Sequence, residues 1–214
     1  MNPQIAVIFI IIISLSLTVH EIAHGYAAYR LGDMTAKNAG RLSFNPLSHL
    51  DFMGTAVFLF SLIAFNMPFG WAKPVPVDVS QLRNPKRDMV WVAFAGPLSN
   101  IVFALIIAYT ANMLVSAIVI SDVLQYAFYM TVRINLGLAV FNLIPIYPLD
   151  GFRVAVGVLT QKQAESYVKI TRFAPQILFG IIILERIIQY PILSKILSPI
   201  FNVWFSFWEK IIGF

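Results

Sequence analysis

The sequence predicts an all-α polytopic membrane protein of about five to six hydrophobic helices, with a re-entrant or extended segment between the first and second core helices. Three observations carry this. Of 214 residues, 59% are hydrophobic and only 12% are charged, whereas soluble domains carry about 25% charged residues. Apolar runs fall at 5–27, 51–69, 89–120, 123–149, 173–188 and 192–213, and a membrane-crossing helix needs roughly 20 such residues. Basic residues gather in the short connections between runs, so the net charge of +5 marks one membrane side rather than a nucleic-acid partner.

Taken in order, the first run lacks a basic leader and a small-residue cleavage site, so it reads as a retained helix and not a signal peptide. The third and fourth runs are also long enough to span. The run at 51–69 is short and ends at Pro68. Its flanking loops are both basic, with Arg30, Lys37 and Arg41 before it and Lys73, Arg83, Lys86 and Arg87 after it. The loop at 150–172 carries Arg153, Lys162, Lys169 and Arg172, whereas residues 1–4 and the Ser121-Asp122 link have no Lys or Arg. Basic loops face the cytoplasm. The two loops flanking 51–69 then share a side, and the run must dip in and return. Gly70 to Asp78 reads as extended chain, because Pro74 and Pro76 push the residues before them out of the helical region; such a segment could pair with an unwound strand by edge addition. The last two runs are interrupted by Glu185, Arg186 and Lys195. The expected organisation is a core over 1–155 followed by C-terminal amphipathic and transmembrane helices over 156–214.

The first run contains His20-Glu21-Ile22-Ala23-His24. On a helix, residues four apart share a face, which aligns two imidazoles to bind one Zn²⁺ with Glu21 beside them as a general base. Such a match is common by chance on a solvated helix. Within an apolar helix, three ionisable groups need some partner, and function is the default reading. The chain has no cysteine, so histidine and carboxylate must hold any zinc. Catalytic zinc uses three protein ligands, and two histidines leave it one short. His49 and Asp150 are the candidates. His49 reads more simply as an interfacial polar residue. Asp150 is the better choice: Pro145 and Pro148 break the helix before it and Gly151 permits a bend after it. An isolated Asp would otherwise read as a helix-end carboxylate. If the 51–69 run returns, Asp150 arrives on the histidines' side of the membrane. Asn142 either bonds across helices or supports the substrate carbonyl and developing oxyanion. Ala95-Gly96-Pro97-Leu98-Ser99-Asn100, which opens the third run, reads as a close-packing surface against the metal-bearing helices.

Together, His20-Glu21-Ile22-Ala23-His24-Gly25, Ala95 to Asn100 and Phe141-Asn142-Leu143-Ile144-Pro145 through Pro148-Leu149-Asp150-Gly151 resemble the site-2 protease family of intramembrane zinc metalloproteases. Gly40 to Pro46 and Gly70 to Pro74 are similar to its compact microbial branch, without PDZ or CBS domain. The resemblance implies one zinc per chain bound by His20, His24 and Asp150, with Glu21 as general base. It implies transmembrane-helix substrates cut within or near the cytoplasmic side of the cell membrane. The competing class, a membrane metal-binding protein or transporter, would string ligands along a pathway or repeat them in two halves; this sequence has one cluster and no repeat. Partners are then the lipid bilayer and membrane-protein substrates, with no nucleic acid, and the oligomeric state stays open.

Overall fold

The computed structural model describes residues 3–65 and 70–212. Every regular element among them is helical: α1 (Pro3–Arg30), α2 (Thr35–Asn38), α3 (Phe52–Phe65), α4 (Pro85–Ala117), α5 (Asp122–Leu143), α6 (Asp150–Val158), α7 (Gln161–Thr171), α8 (Ala174–Ile188) and α9 (Ile192–Ile212). Among the described residues, four stretches are long and apolar enough to cross a membrane: Val7–Arg30, Pro85–Ala117, Asp122–Leu143 and Gln161–Glu185, the last broken by the turn between α7 and α8. The helical, polytopic expectation holds. The chain divides into two compact units, Met1–Gly96 and Pro97–Phe214.

In the first unit, the run at 51–69 does return. Leu50 and Ala72 form an antiparallel bridge, and the Lys73 amide donates to the His49 carbonyl at 2.9 Å. A chain whose flanks are hydrogen-bonded to each other has not crossed a layer roughly 30 Å thick. Helix α3, with 14 residues, is about 21 Å long and too short for the crossing anyway. The return leg packs against it. A Cβ at Gly70 would fall 2.6 Å from Phe58 Cβ, and one at Gly54 would strike the Trp71 backbone; glycines allow this close approach. Asp51 accepts from the Gly54 amide at 2.7 Å and from Trp71 Nε1 at 3.1 Å, tying both legs. Pro68 lies outside the described residues.

The extended stretch after Gly70 then runs beside α1. The fully buried Asp33 accepts from the Thr35 and Asp78 amides, both at 2.8 Å. Asp78 in turn accepts from the Ser80 hydroxyl, the Gln81 side chain and the Ser80 amide, which hold its carboxyl below the usual carboxylate range. Ala28, Leu82 and Val92 form a small buried core, with Ala27, Leu31, Val77 and Met89 around it. Helix α4 begins at Pro85, four residues before the apolar run at 89–120. Its start carries proline at the first position, and Asp88 accepts from the Asn84 amide at 2.8 Å. Both are helix-start signals.

In the second unit, Ala104 and Ala108 on α4 pack against Val132 and Leu136 on α5, with Trp204, Phe205 and Trp208 of α9 around them. Small residues four apart let these helices approach closely. Buried Asn100 donates to Asn135 at 2.8 Å. Trp204 Nε1 donates to the Leu136 carbonyl at 2.9 Å, and Arg133 pairs with Glu209 at 3.1 Å while lying over the Phe205 ring. Helix α9 is thereby fastened along α5.

Candidate metal centre

Helix α1 puts His20 and His24 on one face, as the four-residue spacing demands. Their Nε2 atoms are 3.0 Å apart and their rings stand nearly perpendicular. Two nitrogens bound to one tetrahedral zinc at 2.0–2.1 Å lie about 3.3 Å apart, so this convergence suits a shared ion. His24 Nδ1 donates to the Val92 carbonyl of α4 at 2.7 Å. That bond selects the tautomer with Nε2 unprotonated, the form that ligates a metal, and fixes the ring's direction. Pro97 has no amide for the carbonyl four residues back, so the α4 ladder is interrupted beside Val92.

Gly96 presses on the same pair. A Cβ there would fall 2.6 Å from His20 Cε1 and closer still to the His24 ring. The close-packing role expected of the Ala95–Asn100 segment is thus realised at one residue, whose missing side chain leaves room for the imidazoles. Gly25 does the same on another side of α1, where a Cβ would meet Leu42 and Val75 at 2.7 and 2.8 Å.

Glu21 is partly buried, and its Oε2 accepts the Val75 amide at 2.8 Å. No sequence signal marks this bond, because the partners are 54 residues apart and the donor is main chain. The stretch 73–78 has few donors left for strand addition. Lys73 donates to His49, Val75 to Glu21 and Asp78 to Asp33, while Pro74 and Pro76 have no N–H. The arrangement does not favour edge addition there.

His49, the weaker ligand candidate, is buried at 2% exposure in the loop before α3, and its Nε2 donates to the Ser43 carbonyl at 2.8 Å. It ties the loop that receives Lys73. Asn142 lies in the last turn of α5 and spends one amide hydrogen on the Leu138 carbonyl at 3.0 Å, leaving the other.

Asp150 opens α6, directly after the irregular stretch 144–149. Gly151 has a different purpose from the bend expected of it. It is helical and buried, and a Cβ would fall 2.6 Å from the Ile144 carbonyl oxygen and strike the Leu143 carbonyl too. Glycine is there so that α6 can start against the end of α5. Aromatic side chains brace the same turn: Phe152 stacks on Tyr167 and meets Tyr147 edge-on, and the Tyr167 hydroxyl donates to the Pro145 carbonyl.

With no cysteine in the chain, the side chains suited to hold a zinc are imidazoles and carboxylates. Two imidazoles and one carboxylate are among the ligand sets of catalytic zinc.

The pattern of peptidase family M50 matches residues 8–132 and, overlapping them, 111–184. A Bacillus subtilis protein named "Putative zinc metalloprotease YwhC" is 36% identical over 207 residues, covering 90% of this chain and 85% of its own length. The chain belongs to peptidase family M50, the site-2 proteases. A like-named Mycolicibacterium smegmatis protein, Rip2, is 28% identical over 68% of this chain and 56% of its own. "Zinc metalloprotease MJ0392" of Methanocaldococcus jannaschii is 26% identical over 83% of this chain and 41% of its own. No solved structure matches the chain. The M50 chain is accordingly a site-2 type zinc metalloprotease and an integral membrane protein.

Proposed function

We propose that this M50 protein hydrolyses peptide bonds of transmembrane-helix substrates at the cytoplasmic side of the cell membrane, crossing that membrane several times, with one zinc held by His20, His24 and Asp150. The observation that supports this best is the convergence of the His20 and His24 Nε2 atoms at 3.0 Å beneath Gly96. The carboxylate of Asp150 supplies the third ligand that two histidines lack, and its proline-broken, aromatic-braced turn suits a fixed presentation. When bound, zinc acidifies a coordinated water and polarises the scissile carbonyl.

The remaining chemistry belongs to the side chains. Glu21, one residue from His20, accepts a proton from the attacking water through the oxygen that Val75 leaves open, and returns it to the leaving amine. The second amide hydrogen of Asn142 serves the substrate carbonyl as negative charge develops on it. The Val92 carbonyl keeps His24 in one tautomer throughout. A helical substrate hides its carbonyls in its own hydrogen bonds and must unwind locally before Glu21 can act on it. The return of the 51–69 segment puts both its basic flanks on one side. The cytoplasmic charge rule assigns that side.

Glu21→Gln tests the reading. Cleavage of a model transmembrane substrate should fall on the order of 10³-fold, within the range for a lost general base, while zinc content is kept. A Glu21→Gln protein that cuts at the wild-type rate contradicts it.

A further inference from the structure

The stretch Pro74-Val75-Pro76 has an unusual main-chain property. Its outer residues have no N–H, so Val75 carries the only donor of the three. Proline also fixes φ at 74 and 76 and pushes the residue before each into extended conformation. A lone, stiffly held amide results. It points at one acceptor, Glu21 Oε2, at 2.8 Å.

The stretch is held on several sides. Lys73 donates its amide to His49 and accepts from Arg41 Nη2 at 2.7 Å through its carbonyl. Asp78 is pinned by buried Asp33. Val75 itself is 7% exposed, with its side chain against the gap left by Gly25. All of these anchors lie within the first unit. A carboxylate on a helix rotates about three side-chain torsions unless something fixes it. Here one oxygen is tied to main chain and the other is left for the water proton.

We infer that the Val75 amide is a positioning group for catalysis: the extended stretch orients Glu21, so the returning segment helps to build the general base. This rests on Glu21 being that base. His20 and His24 are held by α4 through Val92 and Gly96, so loss of the Val75 donor should spare the metal.

The test compares Val75→Pro, which removes the donor and suits the flanking prolines, with Val75→Ala, which keeps the donor and trims the packing. Val75→Pro should lower kcat about 100-fold, the scale of a misplaced catalytic group, with KM and zinc affinity near wild type. Val75→Ala should lose far less. Equal losses in the two variants would assign the effect to side-chain packing and overturn the inference, as would wild-type kcat in Val75→Pro. Amide hydrogen exchange at Val75 gives a readout that does not depend on Val75→Pro folding. In detergent-solubilised full-length protein, Glu21→Ala should speed that exchange at least about tenfold as protection is lost, leaving Lys73 and Asp78 amides protected. Unchanged exchange at Val75 overturns the inference. An active Glu21→Gln protein would instead sink the general-base reading and leave the hydrogen bond itself intact.

Discussion

The two histidines and the proposed carboxylate ligand are placed by opposite means. His20 and His24 lie within a continuous 28-residue helix, and the helical period alone puts them on one face. What the surroundings add is room and direction: no side chain at Gly96, and a carbonyl from Val92 to fix one ring. Asp150 lies at the head of a 9-residue helix after six residues without regular structure. Nothing in its own backbone period fixes where its carboxylate points. That turn therefore needs outside support, from the α5 carbonyls packed under Gly151 and from the Tyr147–Phe152–Tyr167 cluster. Helix-borne ligands should fail when the space around them is filled. A turn-borne ligand should fail when its supports are removed.

Three substitutions test this contrast. The largest effect is expected at Gly151→Ala, where the new methyl meets main-chain carbonyls that cannot rotate away. Overpacking of this kind costs about 3 kcal/mol, seen as a lower midpoint of thermal or denaturant unfolding in detergent. Gly96→Ala should be smaller and different in kind. Its methyl meets imidazole rings, which can swing, so the fold survives while zinc affinity drops about 10- to 100-fold, the range found when metal ligands lose their alignment. Chelator competition measures it. Were Gly96→Ala to unfold the protein without first weakening zinc binding, the helix-borne site would be no more forgiving than the turn. The smallest effect belongs to Tyr167→Phe, which keeps the stack on Phe152 and removes only the bond to Pro145, a loss of about 1 kcal/mol. It should appear as a modest fall in zinc affinity, without the unfolding shift of Gly151→Ala.

Much of this was legible in the sequence because hydropathy and charge report on solvent, and solvent governs a membrane chain. The runs at 173–188 and 192–213 match α8 and α9 within a few residues. The return of 51–69 followed from basic residues on both of its flanks. Hydropathy starts helix α4 too late because its first turn, Lys86-Arg87-Asp88, is charged and falls outside any apolar run. Helix α7 falls outside the apolar runs for the same reason, its residues being mostly polar, and lies in the stretch where amphipathic helices are expected. The spacing of His20 and His24 was visible since a helix converts spacing into geometry locally. The contacts of Glu21 with Val75, His24 with Val92 and Gly96 with both imidazoles were not, because each joins segments distant in sequence and two of the three use main chain. The small residues around Gly96 signal close packing but not its partner, and Gly151 reads in the sequence as a bend. Gly151 and Gly96 are instead places where another group comes too close for a side chain.

The zinc content of detergent-purified Asp150→Asn and His49→Ala tests the central claim most directly. The account predicts that wild type and His49→Ala each keep about one zinc per chain, in line with a three-ligand catalytic site, whereas Asp150→Asn loses most of it. Full zinc in Asp150→Asn, or its loss in His49→Ala with the fold intact, would contradict it.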